Sequence, residues 1–125
     1  MKRLIMDLDD TICSTADGDY KNSTPDTDII HRMTEYREMG FTIAISTSRN
    51  MRTYSGDIGK INANTLPVII DWLKKHNVPY DEIIVAKPWC GKEGFYVDDK
   101  AIRPSEFKNK SYEEIVELLD QEKKQ

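Results

Sequence analysis

Two carboxylates separated by one residue follow the first apolar run of the sequence. Residues 3–8 are mostly apolar, and Asp7 and Asp9 stand where this run ends. Alternate residues at the end of a strand project in related directions, so one carboxylate can attack an electrophile while the other transfers protons. An aspartate that attacks a phosphate ester forms an acyl phosphate, which divides one difficult displacement into two easier ones. The spacing therefore indicates covalent catalysis assisted by an acid and base.

The other candidate groups also stand where apolar runs end: Thr47 and Arg49 after 41–46, Lys87 after 82–86, and Asp98 and Asp99 after 94–97. Carboxylates gathered at one sheet edge repel one another unless a cation shares them. Oxygen ligands without imidazole or thiolate favour Mg²⁺, which binds one or two carboxylates together with a phosphate oxygen. Lys87 and Thr47 are then the expected donors to the phosphoryl oxygens. We expect a phosphorylated substrate and a Mg²⁺ cofactor.

Two of these assignments have competitors nearby. Ser46 replaces Thr47 as the hydroxyl that faces the site if the strand ends one residue earlier, and Lys92 competes with Lys87. Lys87 is preferred because it ends its strand directly and precedes a proline. The candidates for binding an anionic substrate are Ser48, Arg49 and Arg52.

These groups need a scaffold of strands and helices. Strands are predicted over 3–8, 41–46, 82–86 and 94–97, where apolar and β-branched residues cluster. A helix is predicted to begin near 24–28 and to end at Gly40, with an inner face formed by Ile29, Ile30, Met33 and Tyr36. A second is predicted over 62–76, with its start made uncertain by Pro67, and a third after Ser111, which forms a capping box with Glu114.

Alternating strands and helices predict a parallel sheet joined by right-handed crossovers and covered on both faces. The expected class is α/β, as a three-layer α/β/α, Rossmann-like arrangement. In such sheets the ligand crevice lies at the carboxyl ends of the strands, where the candidate residues fall.

The composition limits the remaining possibilities. The chain has 125 residues and a formal net charge of −4, which predicts one domain over 1–125 and argues against a duplex nucleic-acid partner. No apolar run approaches the roughly 20 residues that cross a bilayer, so we expect no membrane partner. Cys13 and Cys90 form neither a disulfide framework nor a zinc motif, which favours a soluble protein of the cytoplasm.

The ordered set of motifs resembles the haloacid dehalogenase superfamily of phosphatases and phosphotransferases. The likeness spans almost the whole chain: Asp7-Leu8-Asp9-Asp10-Thr11, then Thr47, then Lys87-Pro88, then Asp98-Asp99. Residues 46–52, 87–91 and 95–99 further resemble small members of that superfamily found with capsular polysaccharide biosynthesis. The resemblance implies the same fold without a separate cap domain, since 13–24 and 50–60 leave room only for a flap.

The resemblance also implies a role for each matched residue. Asp7 is the expected nucleophile, Asp9 the general acid and base, Thr47 the donor to the phosphoryl group, and Lys87 the group that neutralises charge. The expected metal ligands are Asp7, Asp9 through its backbone carbonyl, Asp98 and Asp99. The sequence departs from the pattern at Asp10, where glycine is common.

The resulting hypothesis is a Mg²⁺-dependent phosphomonoester hydrolase that acts through a phospho-aspartate, with a sugar phosphate of capsule or surface polysaccharide synthesis as its expected substrate. Phosphotransfer stays open, because water and an alcohol can attack the same intermediate. A receiver-like signalling domain and a non-catalytic binding module are the alternatives. A site without a cap is open to a large substrate or covered by a neighbouring subunit, and we expect a homo-oligomer.

Overall fold

The structure is a computed structural model that describes residues 1–123. It divides into two compact units, Met1–Trp89 and a second that begins at Cys90. The single domain expected over 1–125 stays a prediction. The first unit contains β1 (Arg3–Met6), β2 (Cys13–Ser14), β3 (Thr24–Pro25), α1 (Thr27–Glu38), β4 (Thr42–Ser46), α2 (Ile58–Lys60), α3 (Leu66–Lys75) and β5 (Glu82–Ile84), and the second contains α4 (Pro104–Asn109) and α5 (Tyr112–Asp120).

A three-stranded parallel sheet forms the centre of the first unit. Its order is β1-β4-β5, with Met6 beside Ile45 and Ile45 beside Ile83. Met6 and Ile45 are buried, as the apolar and β-branched character of these strands predicts. The α/β class and the parallel pairing expected from the sequence are confirmed for these three strands.

Both crossovers, β1 to β4 and β4 to β5, move in the same direction across the sheet. Right-handed connections therefore place α1 and α3 on the same face. On the opposite face Ala44 is buried, but Ile5 and Ile84 are exposed, Ile5 by 61%. The sheet and the helices of the first unit thus form two of the three expected layers, and the third layer stays a prediction.

Helix α1 follows its sequence signals closely. The Asp26 side chain caps its start by accepting a hydrogen bond from the Ile29 N–H at 3.2 Å. Ile29, Met33 and Tyr36 are buried as predicted, whereas Ile30 is only half-buried. Gly40 has φ +95°, a left-handed conformation that glycine adopts without steric cost, and it ends the helix as expected.

The second predicted helix contains an irregular turn just before Pro67. Residues Ile61–Thr65 form a π-helical turn, in which the Leu66 N–H bonds to the Ile61 carbonyl five residues earlier. Proline has no N–H, and its ring crowds the carbonyl four residues before it. The wide turn places Pro67 in the first turn of α3, where a missing N–H costs little. Trp72 of α3 is buried.

The loop predicted over 13–24 is a small flap (residues 13–25). Strands β2 and β3 pair antiparallel, with Ser14 beside Thr24, and Tyr20–Asn22 form a 3₁₀ turn between them. The Trp72 Nε1–H donates to the Ser23 carbonyl at 2.9 Å and ties the flap to α3.

The strand predicted over residues 94–97 does not form within this chain. This segment has no regular structure, and Phe95 and Val97 are 79% and 87% exposed. The segment follows a tight turn, in which a Cβ atom at Gly94 would overlap the carbonyl oxygen of Cys90. An apolar run becomes a strand only where another strand pairs with it, and within residues 1–123 no strand pairs with this one.

Helices α4 and α5 make up the regular structure of the second unit. Ser111 and Glu114 form the predicted capping box: the Ser111 hydroxyl accepts from the Glu114 N–H at 3.2 Å, and Glu114 Oε1 accepts from the Ser111 N–H at 2.9 Å. Of the described residues from Cys90 onward, only Phe107 and Ile115 have buried side chains. Within residues 1–123, no helix is long and apolar enough to cross a membrane.

Candidate active site

Asp7 presents an accessible carboxylate between a hydroxyl and an ammonium group. The Thr11 hydroxyl donates to Oδ2 at 3.1 Å, and Lys87 Nζ lies 3.6 Å from Oδ1. The Asp7 side chain is 39% exposed, so a substrate can reach it. A carboxylate that lies beside a positive charge and is open to solvent can act as a nucleophile.

A tight turn after β1 positions this carboxylate. The Leu8 carbonyl accepts hydrogen bonds from the N–H groups of Thr11, Ile12 and Cys13 at 3.2, 2.9 and 3.3 Å, and Leu8 and Ile12 are buried. Asp10 has φ +61°, a left-handed conformation that glycine adopts freely and aspartate tolerates. The departure from glycine at this position is therefore compatible with the turn.

Asp9 is held by a buried arginine. Arg49 Nε and Nη2 donate to the two carboxylate oxygens at 3.0 and 2.8 Å. The Arg49 side chain is 2% exposed and that of Asp9 30%. The guanidinium also stacks on the Tyr20 ring, 4.2 Å from its centroid, and its buried Nη1 has no hydrogen-bond partner among residues 1–123. Arg49 thus orients Asp9, and its predicted contact with substrate stays a prediction.

Cys13 lies against the same pair. Its thiol is 3.7 Å from Asp9 Oδ1, and burial, followed by the Asp9 charge, raises the pKa of Cys13 to about 11. The thiol is therefore protonated near neutral pH and is no nucleophile there. This agrees with the sequence, which gave neither cysteine a catalytic role.

Backbone hydrogen bonds bring Thr47 and Lys87 to the same edge of the sheet. The Thr47 N–H donates to the Ile84 carbonyl, and the Lys87 N–H donates to the Thr47 carbonyl, both at 3.0 Å. The Thr47 hydroxyl is buried and accepts from the Arg49 N–H at 3.1 Å, which leaves its hydrogen to donate. Ser46 lies within β4 beside Ile84, on the sheet face that carries Ala44 and the exposed Ile5, opposite the face of Ile43 and Ile45. This geometry favours Thr47 over Ser46.

Ser48 and Arg52 lie in the loop that follows Thr47. The Ser48 carbonyl accepts from the Met51 N–H at 3.0 Å in a turn, and Ser48 is half-buried. Arg52 is exposed, and its guanidinium carbon lies 5.9 Å from the centroid of the Trp89 ring. Arg52 and Trp89 therefore form a cationic and aromatic surface, while direct substrate contact by Ser48 and Arg52 stays a prediction.

Asp98 and Asp99 belong to the second unit and are exposed. Asp98 Oδ1 accepts from the Lys100 N–H at 2.8 Å. Lys92, the competitor of Lys87, is also exposed in this unit. Among residues 1–123, no three His, Cys, Asp or Glu side chains lie close enough together to hold a metal ion. In the first unit the open carboxylate of Asp7 suits Mg²⁺, which needs only one or two protein carboxylates besides water and phosphate.

A crystal structure of a protein from Vibrio cholerae is similar to this chain. The two share 57% sequence identity with a TM-score of 0.96, and the match covers 98% of this chain and 100% of the other. The chain belongs to the same family as this Vibrio cholerae protein. No protein-family model and no curated protein matches the chain. Membership of this family therefore establishes the α/β fold, and the activity has to be argued from the residues.

In the protein described here, a cavity of about 260 Å³ lies beside Arg49. It is lined by residues 18–21, Arg49, Asn50, Asn64, Thr65 and Val68. The Thr65 hydroxyl donates to Asn50 Oδ1 at 2.8 Å, which fixes one wall. Sequence reasoning missed Lys21, Asn64 and Thr65, and the π turn that presents Thr65 has no signal of its own except the nearby Pro67.

Proposed function

We propose that this protein is a Mg²⁺-dependent phosphomonoester hydrolase of the haloacid dehalogenase type that works through a phospho-Asp7 intermediate. The observation that carries the proposal is the accessible carboxylate of Asp7, with Lys87 Nζ 3.6 Å from one oxygen and the Thr11 hydroxyl 3.1 Å from the other. The Rossmann-like arrangement typical of that superfamily is part of the proposal.

The reaction divides into two displacements. Asp7 attacks phosphorus, the bond to the ester oxygen breaks, and Asp9 gives that oxygen a proton. Asp9 then takes a proton from water, which attacks phosphorus, releases phosphate and restores the Asp7 carboxylate. Lys87 and the Thr47 hydroxyl stabilise charge on the phosphoryl oxygens in both steps.

Mg²⁺ would neutralise charge on the phosphoryl group when bound. We propose that it is held by the Asp7 carboxylate, the Asp9 backbone carbonyl, and Asp98 with Asp99. These hard oxygen ligands fit Mg²⁺ better than zinc or copper.

Asp9 must give up one hydrogen bond from Arg49 before it can act as the acid and base. Both of its oxygens accept hydrogen bonds from Arg49, so proton transfer requires that one oxygen exchange Arg49 for the leaving group. The 30% exposure of the Asp9 side chain allows this exchange. Arg49 is then a positioning residue for Asp9.

We propose a sugar phosphate of surface polysaccharide synthesis as the substrate class. The support is the resemblance of residues 46–52 and 87–91 to small superfamily members associated with capsules. The flap and the loop after Thr47 are short, so we propose that the site is open to a substrate larger than a free monosaccharide phosphate. The cytoplasm is the proposed compartment.

The test is phosphate release from sugar phosphates, nucleotides and an aryl phosphate, with Mg²⁺ and with chelator. We expect metal-dependent turnover that Asp7→Asn lowers by at least about 1,000-fold, because the nucleophile is lost. The matched control is Asp10→Asn, the same chemical change at an exposed neighbour whose left-handed backbone asparagine also tolerates.

An active Asp7→Asn protein would exclude the phospho-Asp7 mechanism. If neither the wild type nor the control releases phosphate from any substrate, the hydrolase proposal fails and the non-catalytic binding module becomes the better reading. A receiver-like domain would instead accept phosphate from an acyl phosphate donor without sustained turnover.

A further inference from the structure

We propose that a second copy of this chain completes the active site: its residues 94–97 add a parallel strand to the outer edge of β1 and bring Asp98 and Asp99 to Asp7. The inference rests on the proposed function for the role of these carboxylates. The exchange of the strand is argued independently, from the sheet and from the exposed segment.

The outer edge of β1 is the first observation. β1 pairs with β4 on one side, and within residues 1–123 no strand pairs with its other side. The N–H and C=O groups along an unpaired edge are a template for another strand. Ile5 in the middle of this strand is 61% exposed, so an apolar surface accompanies the open edge.

The second observation is an apolar segment of matching length. Gly94 to Val97 is four residues long, as is β1, and its aromatic and β-branched residues favour a strand. Phe95 and Val97 are 79% and 87% exposed, and in a strand they would share one face. A register that places them on the side of Ile5 buries three exposed apolar side chains together.

The direction of the added strand explains the chemistry. Asp7 directly follows β1, and Asp98 directly follows Val97. In a parallel pair both strands end at the same edge of the sheet, so Asp98 and Asp99 would arrive beside Asp7. The site would then contain the carboxylates that the motif order leads us to expect, which no cluster within residues 1–123 of one chain provides.

The second unit also has too small a core to fold independently. Of its described residues only Phe107 and Ile115 are buried, and so small a core rarely supports an independent fold. Exchange of such an element between identical chains yields a closed symmetric dimer at low cost. Pro88 and Trp89 precede the boundary between the units and would form the connection.

Mixing two inactive variants tests the exchange through activity. In a swapped dimer of Asp7→Asn chains with Asp98→Asn/Asp99→Asn chains, one site carries every substitution and the other carries none. Half of the dimers in a statistical mixture are mixed, so refolding the variants together should restore about a quarter of wild-type activity. The matched control mixes Asp7→Asn chains with Asp7→Asn/Asp98→Asn/Asp99→Asn chains. This mixture should restore no activity, because every site lacks Asp7.

If each chain used its own Asp98 and Asp99, every site in the mixture would contain a substitution and no activity would return. That result would overturn the inference. High activity of Asp98→Asn/Asp99→Asn by itself would also overturn it, because these residues would then play no part in the site.

Crosslinking tests the strand exchange without using activity. In a Cys90→Ser background, Ile5→Cys is combined with Phe95→Cys in one variant and with Val97→Cys in another; Cys13 is buried and stays. Oxidation should convert one of these proteins into a covalent dimer on a non-reducing gel, while each single variant does not crosslink. Sedimentation should give a dimer for the wild type.

A disulfide formed within one chain, or a monomer in sedimentation, would overturn the exchange. A covalent dimer with no phosphate release from any substrate would leave the exchange standing and refute the proposed function. A monomer that releases phosphate would refute the exchange and leave the proposed function standing.

Discussion

The ion pair of Asp9 and Arg49 shows how unequal the two partners of one contact can be. Arg49 is almost fully buried, whereas Asp9 keeps about a third of its side chain in water. A buried guanidinium that loses its counterion cannot be rehydrated, while an exposed carboxylate that loses its partner can. The stability of the site therefore depends more on Asp9 than on Arg49.

We expect Asp9→Ala to lower the free energy of unfolding by about 3–5 kcal/mol, because it leaves the Arg49 charge buried. Arg49→Met should cost about 1–3 kcal/mol, since water can replace the lost hydrogen bonds of Asp9. The double variant should cost less than the sum, because the two residues share one interaction. Urea unfolding measures all three.

The control is the exposed pair of Arg3 and Glu82, 3.2 Å apart. Arg3→Met or Glu82→Ala should each change the free energy by less than about 1 kcal/mol. Equal losses for Asp9→Ala and Arg49→Met would contradict the asymmetry.

At the residue level, the sequence predicted where a functional side chain lies better than it predicted which residue that side chain contacts. Asp7 and Lys87 were predicted at strand ends, and the sheet brings them within 3.6 Å. Arg49 was predicted as a substrate contact, because a cation after a strand can bind an anionic substrate. That Asp9 and Tyr20 would enclose it depends on the path of the flap, for which local sequence carries no signal.

Among the elements, one carboxylate ties together a helix and two strands. Asp81, just before β5, accepts a hydrogen bond from the Ile43 N–H of β4 at 2.8 Å, and the Arg37 guanidinium of α1 lies 2.9 Å away. The backbone hydrogen bond from Ile43, aided by Arg37, lowers the pKa of Asp81. The ionised form of Asp81 is therefore favoured by folding.

A pKa that is lower in the folded than in the unfolded protein adds stability above the unfolded pKa, near 3.9, and that stability is lost as pH falls through the folded pKa. We therefore expect Asp81→Asn to be less stable than the wild type at pH 7, with a gap that closes below about pH 4. Asparagine keeps an acceptor for the Ile43 N–H, so the gap reports the charge.

Urea unfolding of both proteins from pH 7 to pH 3 measures this gap. Asp71→Asn, on an exposed position of α3, serves as the control and should follow the wild type. A gap that stays constant over this range would show that the effect of Asp81 is not electrostatic.

Helices α1 and α5 were easier to predict than the pairing of residues 94–97, and α4 (Pro104–Asn109) was not predicted. Capping residues and glycine mark α1 and α5 locally, so their positions followed from a few neighbouring residues. The segment 94–97 has the composition of a strand, but whether it pairs depends on a partner far away in sequence or in another chain. The π turn before Pro67 arises from the fit of a whole helix and not from any single residue.

For the molecule as a whole, we expect metal binding to raise the free energy of unfolding. A ligand that binds only the folded state raises the free energy of unfolding by about 2.7 kcal/mol at 100 times its Kd. We expect Mg²⁺ to raise the Tm by several degrees and a chelator to reverse this. Asp98→Asn/Asp99→Asn should remove most of the shift, and Asp71→Asn none of it. A Tm that does not respond to Mg²⁺ would contradict metal binding.

The division at Trp89 also sets an order of events during synthesis. All three strands of the sheet, with Asp7 and Lys87, leave the ribosome before Cys90 does. At roughly 5–20 residues per second, the remaining chain follows within seconds. If a second copy pairs with β1 as we propose, the nascent protein displays this edge during that interval, and the charge of Lys2 at its start opposes pairing between two such edges. On this proposal Lys2 limits the association of unfinished chains before residues 94–97 are made.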